Sequence, residues 1–76
     1  MLNYQKFKKR NPRFLSRLLT ARTSNLLTQA ELAKRIGVSR QTINAIERKR
    51  KIPSLYLAYK LADFFGMNVR DLFGFD

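Results

Sequence analysis

The stretch from Gln29 to Glu47, QAELAKRIGVSRQTINAIE, restricts the fold of this chain more than any other part. Leu32, Ala33 and Ile36 fall at helical steps on one face of a first short helix, and Ile43 and Ile46 form the matching face of a second. Between them stands Gly37, which accepts a positive φ that would strain a residue with a side chain. Thr28 with Glu31 three residues later spells a capping box, and Ser39 is placed to cap the second helix. Ala33 is small enough to let the two helices cross closely. The pattern predicts two helices joined through one tight turn.

Apolar spacing alone would suit any helical hairpin in a bundle. The other face of the second helix separates the cases, because Arg40, Gln41, Thr42 and Asn44 crowd polar groups suited to base edges and phosphates into its first turns. That combination reads as a DNA-binding helix-turn-helix. Charge points the same way: 16 Lys and Arg stand against 5 Asp and Glu, a formal net charge of +11 on 76 residues. Such an excess favours a polyanionic partner, nucleic acid first. Residues 1–51 hold 14 basic and 2 acidic side chains, whereas residues 52–76 hold 2 and 3. The basic part is expected to face phosphate, and the near-neutral, aromatic-rich remainder to meet protein.

Length restricts the chain to one domain with a small core, since domains of this size bury only about 60% of their unfolded surface. Marginal stability or dimerisation is expected to follow. Without cysteine there is neither a disulfide framework nor a thiolate metal site, which suits a reducing cytoplasm. No apolar run approaches the length of a membrane span. The expected class is all-α: a basic arm over residues 1–10, then a five-helix domain over residues 11–76. Asn11 and Pro12 supply the cap and first position of helix one, which runs to about Thr23 with Phe14, Leu15, Leu18 and Leu19 on one face. After the two central helices comes the basic run Arg48 to Lys51. Pro53 and Ser54 then open a fourth helix with Leu55, Ala58, Leu61, Ala62 and Phe65 inward, ending at Gly66. A short fifth helix begins near Asn68 and includes Val69, Leu72 and Phe73.

From about Leu18 to Phe73 the sequence resembles the Cro-like, lambda-repressor-like family of DNA-binding domains. The strings LTQAELAKRIGVSRQTINAIE, PSLYLAYKLADFFG and VRDLF carry the resemblance, and their order and spacing are more specific than any one of them. It implies a compact five-helix bundle with the third helix in the DNA major groove. It also implies a transcriptional regulator, in the expected reading a repressor, acting as a homodimer on a palindromic operator.

Position by position, the resemblance makes Gln29 a phosphate ligand that also braces Gln41. Arg40 and Gln41 become base readers, followed one turn later by Asn44 and by Ala45, the latter suited to a thymine methyl. Thr28 lies at a helix N-terminus, where free amides attract phosphate, and Thr42 is a further phosphate candidate. Arg22 and Glu47 fall where relatives have a buried ion pair. Two positions depart from the family pattern, because relatives often have glycine where this chain has Leu26 and Lys49. Asn25 is therefore expected to take the first turn, and the second is expected to be looser. The cation run Arg48, Lys49, Arg50 and Lys51 beside the reading helix is expected to clamp phosphates.

Lys8, Lys9 and Arg10 in the arm suit either a minor-groove reach or a disordered, diffusely attractive tail. Tyr56, Tyr59, Phe64, Phe73 and Phe75 exceed what short helices bury, which places a dimer interface at Phe64, Val69, Leu72, Phe73 and Phe75. Enzyme function is not expected: the chain has no histidine, no glycine-rich phosphate loop and no paired carboxylates, and no catalytic residue, metal or cofactor is assigned. The alternatives are an antitoxin-type regulator whose aromatic region binds an unidentified partner protein, and sequence-blind packaging of nucleic acid.

Overall fold

The computed structural model describes residues 13–76. Asn11, Pro12 and the arm over residues 1–10 lie outside the described residues. In chain order the elements are β1 (Phe14–Ser16), α1 (Leu18–Ser24), α2 (Gln29–Ile36), α3 (Arg40–Glu47), α4 (Leu55–Phe65), α5 (Val69–Leu72) and β2 (Phe73–Phe75).

The five helices are joined by a two-stranded sheet, which corrects the all-α expectation and the early start of helix one. β1 pairs antiparallel with β2 in the register Phe14 with Phe75, Leu15 with Gly74 and Ser16 with Phe73. The physical reason is aromatic. Phe14 stacks on Phe73 with ring centroids 5.8 Å apart and meets Phe75 at the same separation, contacts that a helix through Phe14 would have to give up. Backbone hydrogen bonds extend the ribbon at both ends, from the Asp76 amide to the Arg13 carbonyl and from the Arg17 amide to the Leu72 carbonyl, each 2.8 Å. Helix α1 begins only after this pairing is complete.

Leu18, Leu32, Ile43, Ile46, Leu61 and Leu72 are fully buried, so every helix contributes to a single core. On α4 the inward residues are Leu57, Ala58, Leu61 and Ala62. Leu55, expected inward, lies in the first turn and is exposed, as is Leu19 on α1. The expected dimer residues divide. Leu72 is 0% and Phe73 7% exposed, because the first closes the core and the second stacks under the sheet, so the fold itself consumes both. Phe64 and Phe75 remain exposed and Val69 half-buried.

All four longer helices end in left-handed residues that satisfy their last carbonyls. Gly37 and Gly66 do so with φ of 89° and 64°. The other two are Leu26 at 58° and Lys49 at 63°. Leu26, not Asn25, thus takes the first left-handed turn. Asn25 keeps a negative φ and donates its side-chain amide to the Ala21 carbonyl at 2.7 Å. The second turn is not loose either: the Lys49 amide donates to Ile46 and the Arg50 amide to Ala45, the paired bonds of a complete C-terminal cap.

Candidate nucleic-acid interface

Helix α2 starts on a full capping box. The Thr28 hydroxyl accepts from the Glu31 amide at 3.0 Å while the Glu31 carboxylate accepts from the Thr28 amide at 2.8 Å. The bond from the Thr28 backbone, then that from its hydroxyl, holds the Glu31 carboxyl below its ordinary pKa, with Arg35 adding a smaller attraction. Helix α3 starts on Ser39, whose hydroxyl accepts from the Thr42 amide at 3.1 Å and contacts the Thr42 hydroxyl at 2.9 Å. Thr42, an expected phosphate ligand, therefore has its hydroxyl engaged with the cap. Ile43 and Ile46 root α3 in the core, which fixes the opposite face outward.

One buried carboxylate locks the angle between these helices. Glu47, at the end of α3, accepts from Arg22 Nε at 2.6 Å, from Arg22 Nη2 at 3.1 Å and from Gln29 Nε2 at 3.0 Å. The Arg22 and Glu47 side chains are 11% and 3% exposed. Arg22 also donates Nη1 to the Leu27 carbonyl at 2.7 Å, so one guanidinium ties α1 to the approach of α2 and to the close of α3. Donating to Glu47 raises the Arg22 pKa further above its already high value. Gln29 does not brace Gln41. Its amide turns to Glu47 because a charged acceptor outcompetes a neutral one, leaving its second N–H for another acceptor.

Arg40 and Gln41 are exposed, and Asn44 and Ala45 are half-buried along the same face. Among the described residues, no side-chain hydrogen bond engages Arg40, Gln41 or Asn44. With Gln29 and Arg50 these four line an open cleft of about 380 Å³. Arg50 reaches it because its amide and that of Lys51 both fold back onto the Ala45 carbonyl. Arg48, Lys49 and Lys51 are exposed outside that lining. A second open cleft, of about 420 Å³, adjoins the start of α2 and shares Arg40 and Gln29 with the first; Thr28 and Leu26 line it too. Leu26 is exposed at this cleft, and its only sign in the sequence is a leucine where the family resemblance leads to glycine. The arrangement presents hydrogen-bonding groups along a helix and cations around it. Among the described residues no helix is long and apolar enough to cross a membrane.

Two short packed helices joined through the left-handed turn at Gly37, the second with its polar face outward, define a helix-turn-helix protein. The helix-turn-helix family model matches residues 18–72, and the chain belongs to that family, of Cro/C1 type. Over 47 residues it is 60% identical to an uncharacterized HTH-type transcriptional regulator of Methanocaldococcus jannaschii, covering 62% of this chain and 71% of that one. An uncharacterized HTH-type transcriptional regulator of Archaeoglobus fulgidus is 52% identical over 50 residues, 66% of this chain and 70% of its own. Among solved structures, a Bacteroides fragilis protein described as DNA-binding superposes with a TM-score of 0.72 at 26% identity, covering 80% of this chain and 98% of that one. The SOS-response transcriptional repressor LexA of Eubacterium rectale gives 0.68 at 39% identity, over 71% of this chain and 57% of that one. The chain is a transcriptional regulator with a helix-turn-helix DNA-binding domain, not an enzyme. These relatives do not favour the antitoxin alternative.

Proposed function

We propose that this regulator binds a palindromic operator as a homodimer, with α3 in the major groove, and represses by occupying DNA that transcription would need. One observation carries the reading: Arg40, Gln41, Asn44 and Ala45 share the outward face of a helix whose inward face is locked by Ile43, Ile46 and the Glu47 network. Arginine grips guanine through two hydrogen bonds and glutamine grips adenine likewise. Thr28, Gln29 and Arg50 flank this face, with Thr42 behind its first turn. Together with Arg48, Lys49 and Lys51 they supply the phosphate contacts that set register on the duplex. The near-neutral segment after residue 51 keeps Phe64, Val69 and Phe75 accessible for the two-fold contact, where two chains of high positive charge repel least. In this reading the protein acts in the cytoplasm, a reducing compartment that a chain without cysteine suits.

Selection of bound duplexes from a random pool tests the proposal. It should enrich one two-fold symmetric sequence whose half-site centres lie about 34 Å apart. Arg40→Ala should then relax preference at one base position by on the order of 1 to 3 kcal/mol. Lys49→Ala should instead weaken every sequence alike and lower the salt-dependence slope by about one. A pool that emerges unenriched would replace the operator reading with sequence-blind binding.

A further inference from the structure

Leu26 is the most exposed large apolar residue described, at 90%, and it sits at φ 58°. Both properties oppose its retention in a free monomer. The left-handed conformation disfavours a side chain, and a side chain so exposed recovers nothing by burial. Nor does the cap of α1 need it. The apolar contact that accompanies such a cap is made by the next residue, Leu27, which packs against the core and whose amide bonds the Arg22 carbonyl at 3.2 Å. Leucine at position 26 is thus unexplained by the fold that contains it.

Its surroundings are specific. Leu26 lines the open cleft of about 420 Å³ with Thr28, Gln29 and Arg40, groups that supply a helix N-terminus, an amide donor and a guanidinium. An apolar wall beside anion-binding donors matches one unit of a nucleic-acid strand, an apolar sugar face joined to its phosphate. We propose that Leu26 is a DNA-contacting residue that packs on a deoxyribose of the strand whose phosphate is held at the start of α2. The inference rests on the DNA-binding reading above. It makes Leu26 the apolar counterpart of Lys49, the other strained residue bordering the reading unit. Because no base edge is read, the contact adds affinity without sequence preference.

Binding of the selected operator and of an unselected duplex of equal length, each titrated with salt, tests this with Leu26→Gly and Leu26→Asn. Both replacements accept a left-handed backbone, and thermal melts check that each variant folds. Both variants should bind both duplexes about three- to tenfold more weakly, the scale of partial burial of one leucine. The salt slope should stay constant because no charge is removed. Affinities within twofold of wild type would overturn the proposal. So would a loss of affinity matched by lost self-association in sedimentation, which would assign Leu26 to a protein contact. Arg40→Ala measured alongside separates the two levels: if it leaves base preference intact, the reading helix itself is misassigned, whatever Leu26 does.

Discussion

Glu47 concentrates the demands made on one side chain. Three donors from two helices converge on it, and its near-complete burial means that no water replaces a lost partner. Removing it leaves the Arg22 guanidinium desolvated, so Glu47→Ala should lower stability by about 3 to 5 kcal/mol. For a domain of this size that corresponds to a fall in melting temperature of more than about 10 °C. A shift of only a degree or two in a thermal melt would show the pair to be dispensable. The contact of Arg22 with Glu47 was legible through the family pattern, whereas the share of Gln29 in it was not. The family resemblance pairs Gln29 with Gln41, and only the structure reveals that its amide meets Glu47 instead. The strained turns were half legible in the same way: missing glycines marked the places, but the residue that turns left-handed at the first is Leu26 rather than its polar neighbour Asn25.

At the level of elements, the helices announced themselves because their signals are local. Thr28, Ser39 and Ser54 each accept from the amide three residues on, and Gly37 and Gly66 close α2 and α4. The start of α2 also gives a pH prediction. Its Glu31 carboxylate is held below its ordinary value, so the folded form binds protons less readily than the unfolded one. The stabilisation is therefore complete above the usual glutamate range near about 4.3 and is lost as pH falls through the lower folded value. Wild type should melt above Glu31→Ala at neutral pH, with the gap shrinking below about pH 4. A gap that persists unchanged to the acid limit would contradict the assignment. The strands were illegible for the opposite reason. Three residues are too few to show a period of two, and the partner of Phe14 lies at the other end of the chain. Read locally, Phe14 and Leu15 suit a helix as well as a strand, and nothing in the neighbouring residues reports the stacking of Phe14 on Phe73. The same non-local contact removed Phe73 from the surface, so counting aromatics overestimated what remained for a partner.

Across the whole molecule, β1 and β2 bind the start of the described fold to its end, while the core holds α2 and α3 at a set angle. Charge is partitioned along the same chain, with the cations gathered before residue 52. An outward-facing helix, a basic surround and a near-neutral remainder are separate features, and in the proposed reading each gives a different part of the chain to DNA or to protein. The central claim is that the outward face of α3 lies against base pairs. Amide chemical-shift mapping on titration with the selected operator addresses it most directly. The account predicts the largest changes at Arg40, Gln41, Asn44 and Ala45, with smaller ones at Thr28 and at Arg48 to Lys51. Undisturbed amides along α3 while another surface responds would contradict it.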